Sequence, residues 1–548
     1  MKRRMLFSVA LVVVLLLSGC NLQGIRELLG SENGNGQQVV VEENDSEEMS
    51  VNDTTDAETD SQPEDSVSEP EVPESSLQYL DVTTYTEYDG YYDQVSLMSG
   101  HYGVLQLNST EYPALTEAVD AYNAYHSESA QQYLDDLENW AIQDYAEYGE
   151  EMFIGAYSYE EDMYITRADS QVLSIAMSCQ DYAGGAHGMT YYGAENFDTQ
   201  TGEDIFLEDV ITDFGKLPEI ITDELCAKYP HMEENYGKEM ILSYLTEYVT
   251  PSNPDFAPQF TWSLGYEGVT FYFSCYEIAA YADGVQVVTV SYDQYPQLFN
   301  ASYFNQVDDY YAVQLMRDWA GTNADIDLDG DGVNDYIQVS RNYSTEYGVD
   351  YSESFDVSVN GNTYTHEFYC YDLETYLVKS DSDYYLYVKR RVENDYESFC
   401  VFKITGNSVE YMGECDGGFT SFTNSLDFGI VKRVDLLSTY SAVARCYVGT
   451  DGMPVEKSGA YMVENEMLIT STVDITADLV DEEGLLTGES NTFPAGTEFK
   501  FISTDGETYV DMKTSEGPMC RLYTTYEWPP TVNGLDAQDS FVMLWYAG

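Results

Sequence analysis

Between residues 30 and 77 this chain has almost nothing to fold with. After Val39-Val40-Val41 large apolar residues become scarce, and Glu42-Glu43-Asn44-Asp45-Ser46-Glu47-Glu48 opens an acidic run. No core can form there to offset the entropy of ordering the backbone. Like charges keep such a segment extended, and Pro63, Pro70 and Pro73 stiffen its end. The segment 21–77 is expected to be an acidic disordered tether, with folded structure beginning near Leu77.

A different signal precedes it. Lys2, Arg3 and Arg4 are followed by an apolar stretch from Met5 to Leu17, then Leu17-Ser18-Gly19-Cys20. The stretch is too short to span a bilayer and reads as a secretory signal. Its end resembles the lipobox of bacterial lipoproteins. That resemblance implies a signal peptide over 1–20 and a lipid on Cys20, two acyl chains giving lasting attachment. The expected location is the extracytoplasmic face of the cell membrane. The competing reading is a buried cysteine closing a hydrophobic helix.

The chain of 548 residues carries 98 acidic and 22 basic residues, a net charge of −76. No lysine or arginine lies between Arg26 and Arg167. Nucleic acid and anionic lipid surfaces would be repelled. Cationic proteins, cationic peptides and divalent metals remain as partners, as does a merely solvated acidic surface. The 51 tyrosines suit half-exposed sheets, either through strand propensity or as contacts for carbohydrate or protein. Eight cysteines follow Cys20 without any C-x-x-C spacing, so a zinc cluster is not expected. Disulfides and free thiols both remain open for them.

Alternation predicts strands within Val82–Leu107, and a helix is predicted to start close to Ser109-Thr110-Glu111. Its apolar face carries Leu115, Val119, Tyr122, Tyr133, Leu137 and Trp140. Strands follow within Met152–Ser178. A helical region over Leu207–Tyr248 is broken near Pro230 and again around Glu234–Gly237. Strands return at Phe260–Tyr276 and Val285–Tyr292. The second half reads as all-β, with strands around 335–339, 355–359 and 384–388 and a turn at Asn360-Gly361-Asn362. The last eighty residues read as short strands with tight turns, like a small SH3-like β-barrel.

The most distinctive local sequence is Gly184-Gly185-Ala186-His187-Gly188, followed by Phe197-Asp198-Thr199-Gln200-Thr201-Gly202. Farther on stands Tyr276-Glu277-Ile278-Ala279-Ala280-Tyr281-Ala282-Asp283-Gly284. This ordered set resembles the extracytoplasmic domain of RsiV-like anti-sigma factors, which also accompanies PdaC-type deacetylases. Tyr112-Pro113-Ala114-Leu115 and Tyr122-Asn123 resemble its N-terminal companion. The resemblance spans roughly 80–293 and implies a binding or sensing module. Neither a sigma-binding segment nor clustered metal-ligating histidines accompany it, so it implies neither transcriptional control nor deacetylation. Gly184, Gly185, His187, Gly188, Tyr276, Glu277, Tyr281 and Gly284 are the positions it marks. For His187 a base role is one reading, and a ring filling or capping a strand end is the favoured one.

A second motif is Asp327-Leu328-Asp329-Gly330-Asp331-Gly332-Val333-Asn334-Asp335. Aspartates at positions one, three, five and nine with glycine at six match a calcium loop. Asp327, Asp329, Asp331, Asp335 and the Val333 carbonyl are the candidate ligands, for a structural Ca2+. Gln338 stands where an EF-hand has its bidentate glutamate, so affinity is expected near about 10⁻⁴–10⁻³ M, as in extracellular modules. The run before a strand resembles calcium loops of bacterial surface β-repeat proteins.

The expected architecture is an α+β module over 78–298, in two sub-domains of about 80–190 and 191–293. A β domain with the calcium loop over 299–470 and the small SH3-like β domain over 471–548 follow. The expected function is extracytoplasmic binding or sensing, with a cationic protein such as lysozyme, or a cell-wall polymer, as partner. The alternatives are a cell-wall glycan or peptide hydrolase and a structural envelope spacer. No catalytic constellation is recognised.

Overall fold

The computed structural model describes residues 80–546 except 85–87, 93–94, 108–110, 150–155, 255–256, 306–308, 319–320, 347–348, 393–395, 421, 458, 465, 482, 515–516, 526–528 and 543. Cys20, the signal 1–20 and the tether 21–77 lie outside the described residues. The longest helix, Pro113–Tyr148, begins at a proline, where a missing N–H is no loss. Tyr112 before it sits at ψ 68, pushed out of the α region by the ring that follows. The helix thus starts at Pro113, close after the expected Ser109-Thr110-Glu111, of which Ser109 and Thr110 lie outside the described residues. Gly149, at φ 72, ends the helix. Leu115, Val119, Tyr133, Leu134, Leu137 and Ala141 recur at helical spacing and are buried.

That face covers a five-stranded sheet. Its strands run Tyr88–Tyr92, Val95–His101, Tyr157–Ala168, Val172–Tyr182 and Met189–Asp198 in spatial order. Val95–His101 and Tyr157–Ala168 are parallel, because the long helix makes the crossover between them. Next come helices Leu217–Lys228, Pro230–Tyr236 and Lys238–Val249, broken at Pro230 and at Gly237 (φ 78) as the sequence predicts. Leu217, Ile221, Leu225, Ile241 and Leu245 meet Leu264, Phe271, Phe273, Val288 and Val290 in one core. The strands beneath are Thr261–Leu264, Gly268–Phe273 and Gln286–Ser291. No described helix is long and apolar enough to cross a membrane.

From Tyr310 onward the chain is nearly all strand. Two five-stranded sheets face each other, one ending in Asn362–Cys370 and the other in Ser408–Asp416. Ile337, Val339, Phe355 and Val357 of the first meet Leu377, Leu386, Val388 and Phe402 of the second. The second sheet is covered on its other face too. There Val378, Tyr385, Tyr387, Phe399 and Val401 meet Phe428, Ile430, Ala444 and Cys446. Burial on both faces explains the continuous apolar runs of Asp383–Arg391 and Glu397–Thr405.

Strands from Gly418 to Val542 join a twelve-stranded sheet. Residues 471–548 are not outlined as a separate closed barrel. Tyr461–Val463 pairs Tyr440–Val448 on one side and Glu498–Thr504 on the other, carrying the sheet across the expected boundary. Leu486–Phe493 ends the sheet path, with seven of its eight residues exposed and Gly488 at φ 81. The class is therefore an α/β region followed by a large all-β region. All eight described cysteines are free thiols.

Candidate functional site

The glycine motif sits in the turn between Val172–Tyr182 and Met189–Asp198. Gly184 and Gly185 have φ of 87 and 89, a conformation that other residues adopt only at a cost. A Cβ on Gly184 would lie 2.5 Å from the Tyr157 hydroxyl oxygen, and one on Gly188 would run into the Asp181 carbonyl. These glycines let the chain fold back tightly. What the turn presents is His187, which is exposed and stacks on Tyr281 at 3.9 Å and 24°. Its Nδ1 lies 3.0 Å from the Gly188 carbonyl oxygen. The ring therefore stands in solvent on a tyrosine and does not fill the strand end.

Tyr276 and Tyr281 come from the loop before Gln286–Ser291. The ring of Tyr276 is 56% exposed, 5.5 Å from Tyr281 and 6.4 Å from His187. Its φ of 67 is unusual for a bulky residue. The Cys275 N–H donates to the Thr190 carbonyl at 3.1 Å, tying this loop to the strand after the glycine turn. Glu277 lies beneath. It accepts the Ser274 N–H and the Tyr248 hydroxyl, both at 2.7 Å, and burial pushes its carboxyl up. Gly284, at φ 70, closes the loop. The marked positions thus divide: the glycines and Glu277 build the loops, while His187 and Tyr276 stand exposed beside the half-buried Tyr281 in an aromatic patch.

The aspartate loop leads from strand Gly321–Ile326 into strand Asp335–Glu346. Oxygens of Asp327, Asp329 and Asp335 lie within 4.8 Å of one another. Gly330 and Gly332, at φ 74 and 85, let the backbone wrap them. Asp327 accepts N–H bonds from Gly330 (2.8 Å) and Gly332 (2.7 Å). Asp335 is buried and accepts from Leu328 N (2.9 Å) and Asn360 Nδ2 (2.5 Å). Asp331 stands apart and accepts the Val333 N–H at 2.8 Å. The donor set is all oxygen, which suits a hard cation such as calcium.

Sequence reasoning missed a groove between the three-stranded sheet and the strands that follow it. Tyr192, Tyr229, Tyr272 and Tyr311 are among its lining. Lys228 bridges Asp325 at 2.5 Å. Glu267 takes Tyr311 (2.7 Å), Tyr384 (3.0 Å) and Lys379 (3.1 Å). These partners lie 44 to 117 residues from one another, so no local pattern could show them.

Residues 203–293 match the family described as a protein of unknown function, DUF3298, so the chain carries a DUF3298 domain there. A solved member of that family from Bacteroides fragilis is similar at 18% identity and TM-score 0.32, over 41% of this chain and 95% of that one. A DUF3298 family protein from Pseudomonas aeruginosa PAO1 is similar at 16% identity and TM-score 0.29, over 42% of this chain and 99% of that one. No curated protein matches the chain.

Proposed function

We propose that this chain is a binding protein of the cell envelope, a lipoprotein anchored through Cys20 that presents the loops of its DUF3298-containing module to a cationic protein or to cell-wall material. The observation that carries the reading is the patch of His187, Tyr276 and Tyr281. Two exposed rings, His187 and Tyr276, neighbour the half-buried Tyr281 on a chain with net charge −76. Aromatic faces attract cationic side chains, and acidic surfaces speed encounter with cationic partners. A tyrosine kept at positive φ costs about 1–3 kcal/mol, a cost that a mere spacer gains nothing from. The resemblance to RsiV-like sensing domains makes lysozyme the first partner to test. A hydrolase would need a free carboxylate in a cleft. In the groove, Asp325 and Glu267 are each engaged by a lysine, which favours binding.

In the same reading, Asp327, Asp329 and Asp335 hold a structural Ca2+, with Asp331 and the Val333 carbonyl as the further candidate ligands. The loop is well placed to stabilise its surroundings. Asn334 donates to the Thr289 carbonyl at 3.1 Å, and Gly406 leaves room for the Asp329 and Asp335 carboxylates that a Cβ would approach to 2.8 Å and 3.2 Å. We also read 471–548 as a small SH3-like β domain. Ile475–Val480 pairs both Leu486–Phe493 and Met519–Tyr523, and Tyr509–Lys513 joins Glu498–Thr504 to Met519–Tyr523.

The test is binding of the full chain to lysozyme and to cytochrome c across a salt series, with and without calcium. Lysozyme binding should survive moderate salt and outlast that of cytochrome c. Tyr281→Ser should weaken it by about 2 kcal/mol, as expected for an aromatic anchor. Calcium should raise the melting temperature through mass action, and D329A with D331A should remove that rise without changing lysozyme affinity. Equal binding of both basic proteins, collapsing together with salt, would leave only a non-specific acidic surface.

A further inference from the structure

We infer that Arg341, Thr322 and Thr375 form a binding site for one small oxyanion, a carboxylate or phosphate group, in the all-β region. The argument starts from strand phase. Along Asp335–Glu346, Ile337 and Val339 point into the core between the two facing sheets. Alternation puts Arg341 and Tyr343 on that same row. Along Asp372–Ser380 the row is Leu373, Thr375 and Leu377, two core leucines flanking a threonine. Thr322 pairs with Val339, and Arg317 pairs with Thr322. The rows meet at a recess lined by Arg317, Gly321, Thr322, Arg341, Tyr343 and Thr375. The recess is open at its mouth and its enclosed part is small, about 20 Å3, room for one oxygen of such a group. Gly321, at φ 129, forms a wall where a Cβ would run into the Val339 carbonyl.

Three polar atoms of this lining are sealed from water and lack a hydrogen-bond partner among the described residues: Arg341 Nε, Thr322 Oγ1 and Thr375 Oγ1. Thr375 is fully buried, Thr322 is 5% exposed and the Arg341 side chain is 10% exposed. The rest of the Arg341 guanidinium is committed, Nη1 to the Tyr371 carbonyl and Nη2 to the Tyr343 hydroxyl at 2.9 Å. An unmet buried group is costly, and three in one recess mark a missing acceptor. Nε can only donate and both hydroxyls can donate, so the fitting ligand accepts.

Charge points the same way. Asp372 lies 2.7 Å from Arg317, 3.9 Å from Arg341 and 3.9 Å from Arg391. Three guanidinium groups thus share one carboxylate in a chain with only 22 basic residues. Tyr343 reports the field independently. Burial pushes its phenol up, yet hydrogen bonds and charge from Arg341 and then Arg317 bring it below its ordinary value.

The test is thermal melting of the full chain in a metal chelator, titrated with acetate, phosphate or chloride at constant ionic strength. The expected result is a saturable rise with acetate or phosphate and none with chloride. Whichever oxyanion responds identifies the group as carboxylate or phosphate. T322V and T375V, close in shape to threonine, should melt no lower than the parent in chloride, because each deletes an unmet hydroxyl. Each should weaken the responding oxyanion about tenfold, the effect of about 1.4 kcal/mol expected for a lost bond to a charged group. A response of equal midpoint in the parent and both variants would overturn the proposal. So would a flat titration with both oxyanions.

Discussion

Between residues 80 and 298 the chain has four lysines and arginines, and from 299 to 548 it has fourteen. The two regions hold their carboxylates accordingly. In the first, phenols do much of it beside a few ion pairs such as Arg167–Asp169: Tyr133 donates to Asp181 (2.5 Å), Tyr159 to Glu161 (2.8 Å), Tyr248 to Glu277 (2.7 Å) and Tyr295 to Glu224 (2.7 Å). Tyr157 donates to Asp144 and Tyr236 to Asp283 in the same way. In the second, cations do more of it, although phenols such as Tyr396 on Asp416 contribute: Arg521 grips both oxygens of Asp511 at 2.8 Å, Lys389 lies between Glu374 and Glu397, and Asp427 takes Arg445 and Lys457. The comparison gives many of the tyrosines a role beyond strand propensity and ligand contact. A phenol can hold a carboxylate in place without neutralising it.

The comparison is sharpest where a partner is removed. Arg521→Met should be the costliest change, because Asp511 is 1% exposed and would be left as a buried unpaired charge. The expected loss is about 3–5 kcal/mol in urea unfolding of the full chain. Tyr159→Phe should cost less, about 1.5–3 kcal/mol. It deletes one bond to Glu161, which keeps His126 at 2.6 Å. A loss in Tyr159→Phe that exceeds the loss in Arg521→Met would break the comparison.

Acidity should move the two regions in opposite directions. Burial pushes the carboxyls of Asp181, Glu224 and Glu277 up. A raised carboxyl contributes stability that is complete below its unfolded value and lost as pH rises through its folded value. The first region should therefore tighten as pH falls from 7 toward 5. In the second, burial pulls His366 below 6.5, despite nearby Glu414 and Glu367. A depressed histidine contributes stability above its unfolded value that is lost as pH falls, so this region should loosen over the same range. Hydrogen exchange at pH 7 and pH 5, corrected for intrinsic rates, reads both. Parallel changes in the two regions would count against the assignment.

Salt should give the smallest effect. Exposed pairs such as Lys500–Glu466 and Arg433–Asp435 are worth at most about 1 kcal/mol each and should fade in molar salt, while the phenol bonds should not. A larger salt-induced loosening in residues 80–298 than beyond would contradict that ordering.

Local features were legible in the sequence. Pro230 and Gly237 break the helices where expected, because a proline or a positive φ acts on its immediate neighbours. The aspartate loop was legible for the same reason, its close oxygens coming from nine consecutive residues. The aromatic patch was half legible. Its motifs stood out, but His187 and Tyr281 are 94 residues apart and only the fold stacks them. The arginine recess was not legible, since Arg317, Arg341 and Thr375 meet through three separate strands. The expected boundary at 470 failed to show the sheet crossing it, because alternation predicts strands and leaves their partners undetermined.

The strand Leu486–Phe493 has a further consequence at high local concentration. Wherever copies of one chain are crowded, an open sheet edge invites them to add on and polymerise. This edge is poorly suited to that. Gly488 turns the backbone aside at its centre, the pairing slips by two between Asp478 and Val480, and Glu489 places charge on the rim. Leu485 and Leu486 are exposed, but at one end only, where a second strand could gain no continuous register. The same irregularities that weaken the last strand of the sheet help keep neighbouring molecules separate.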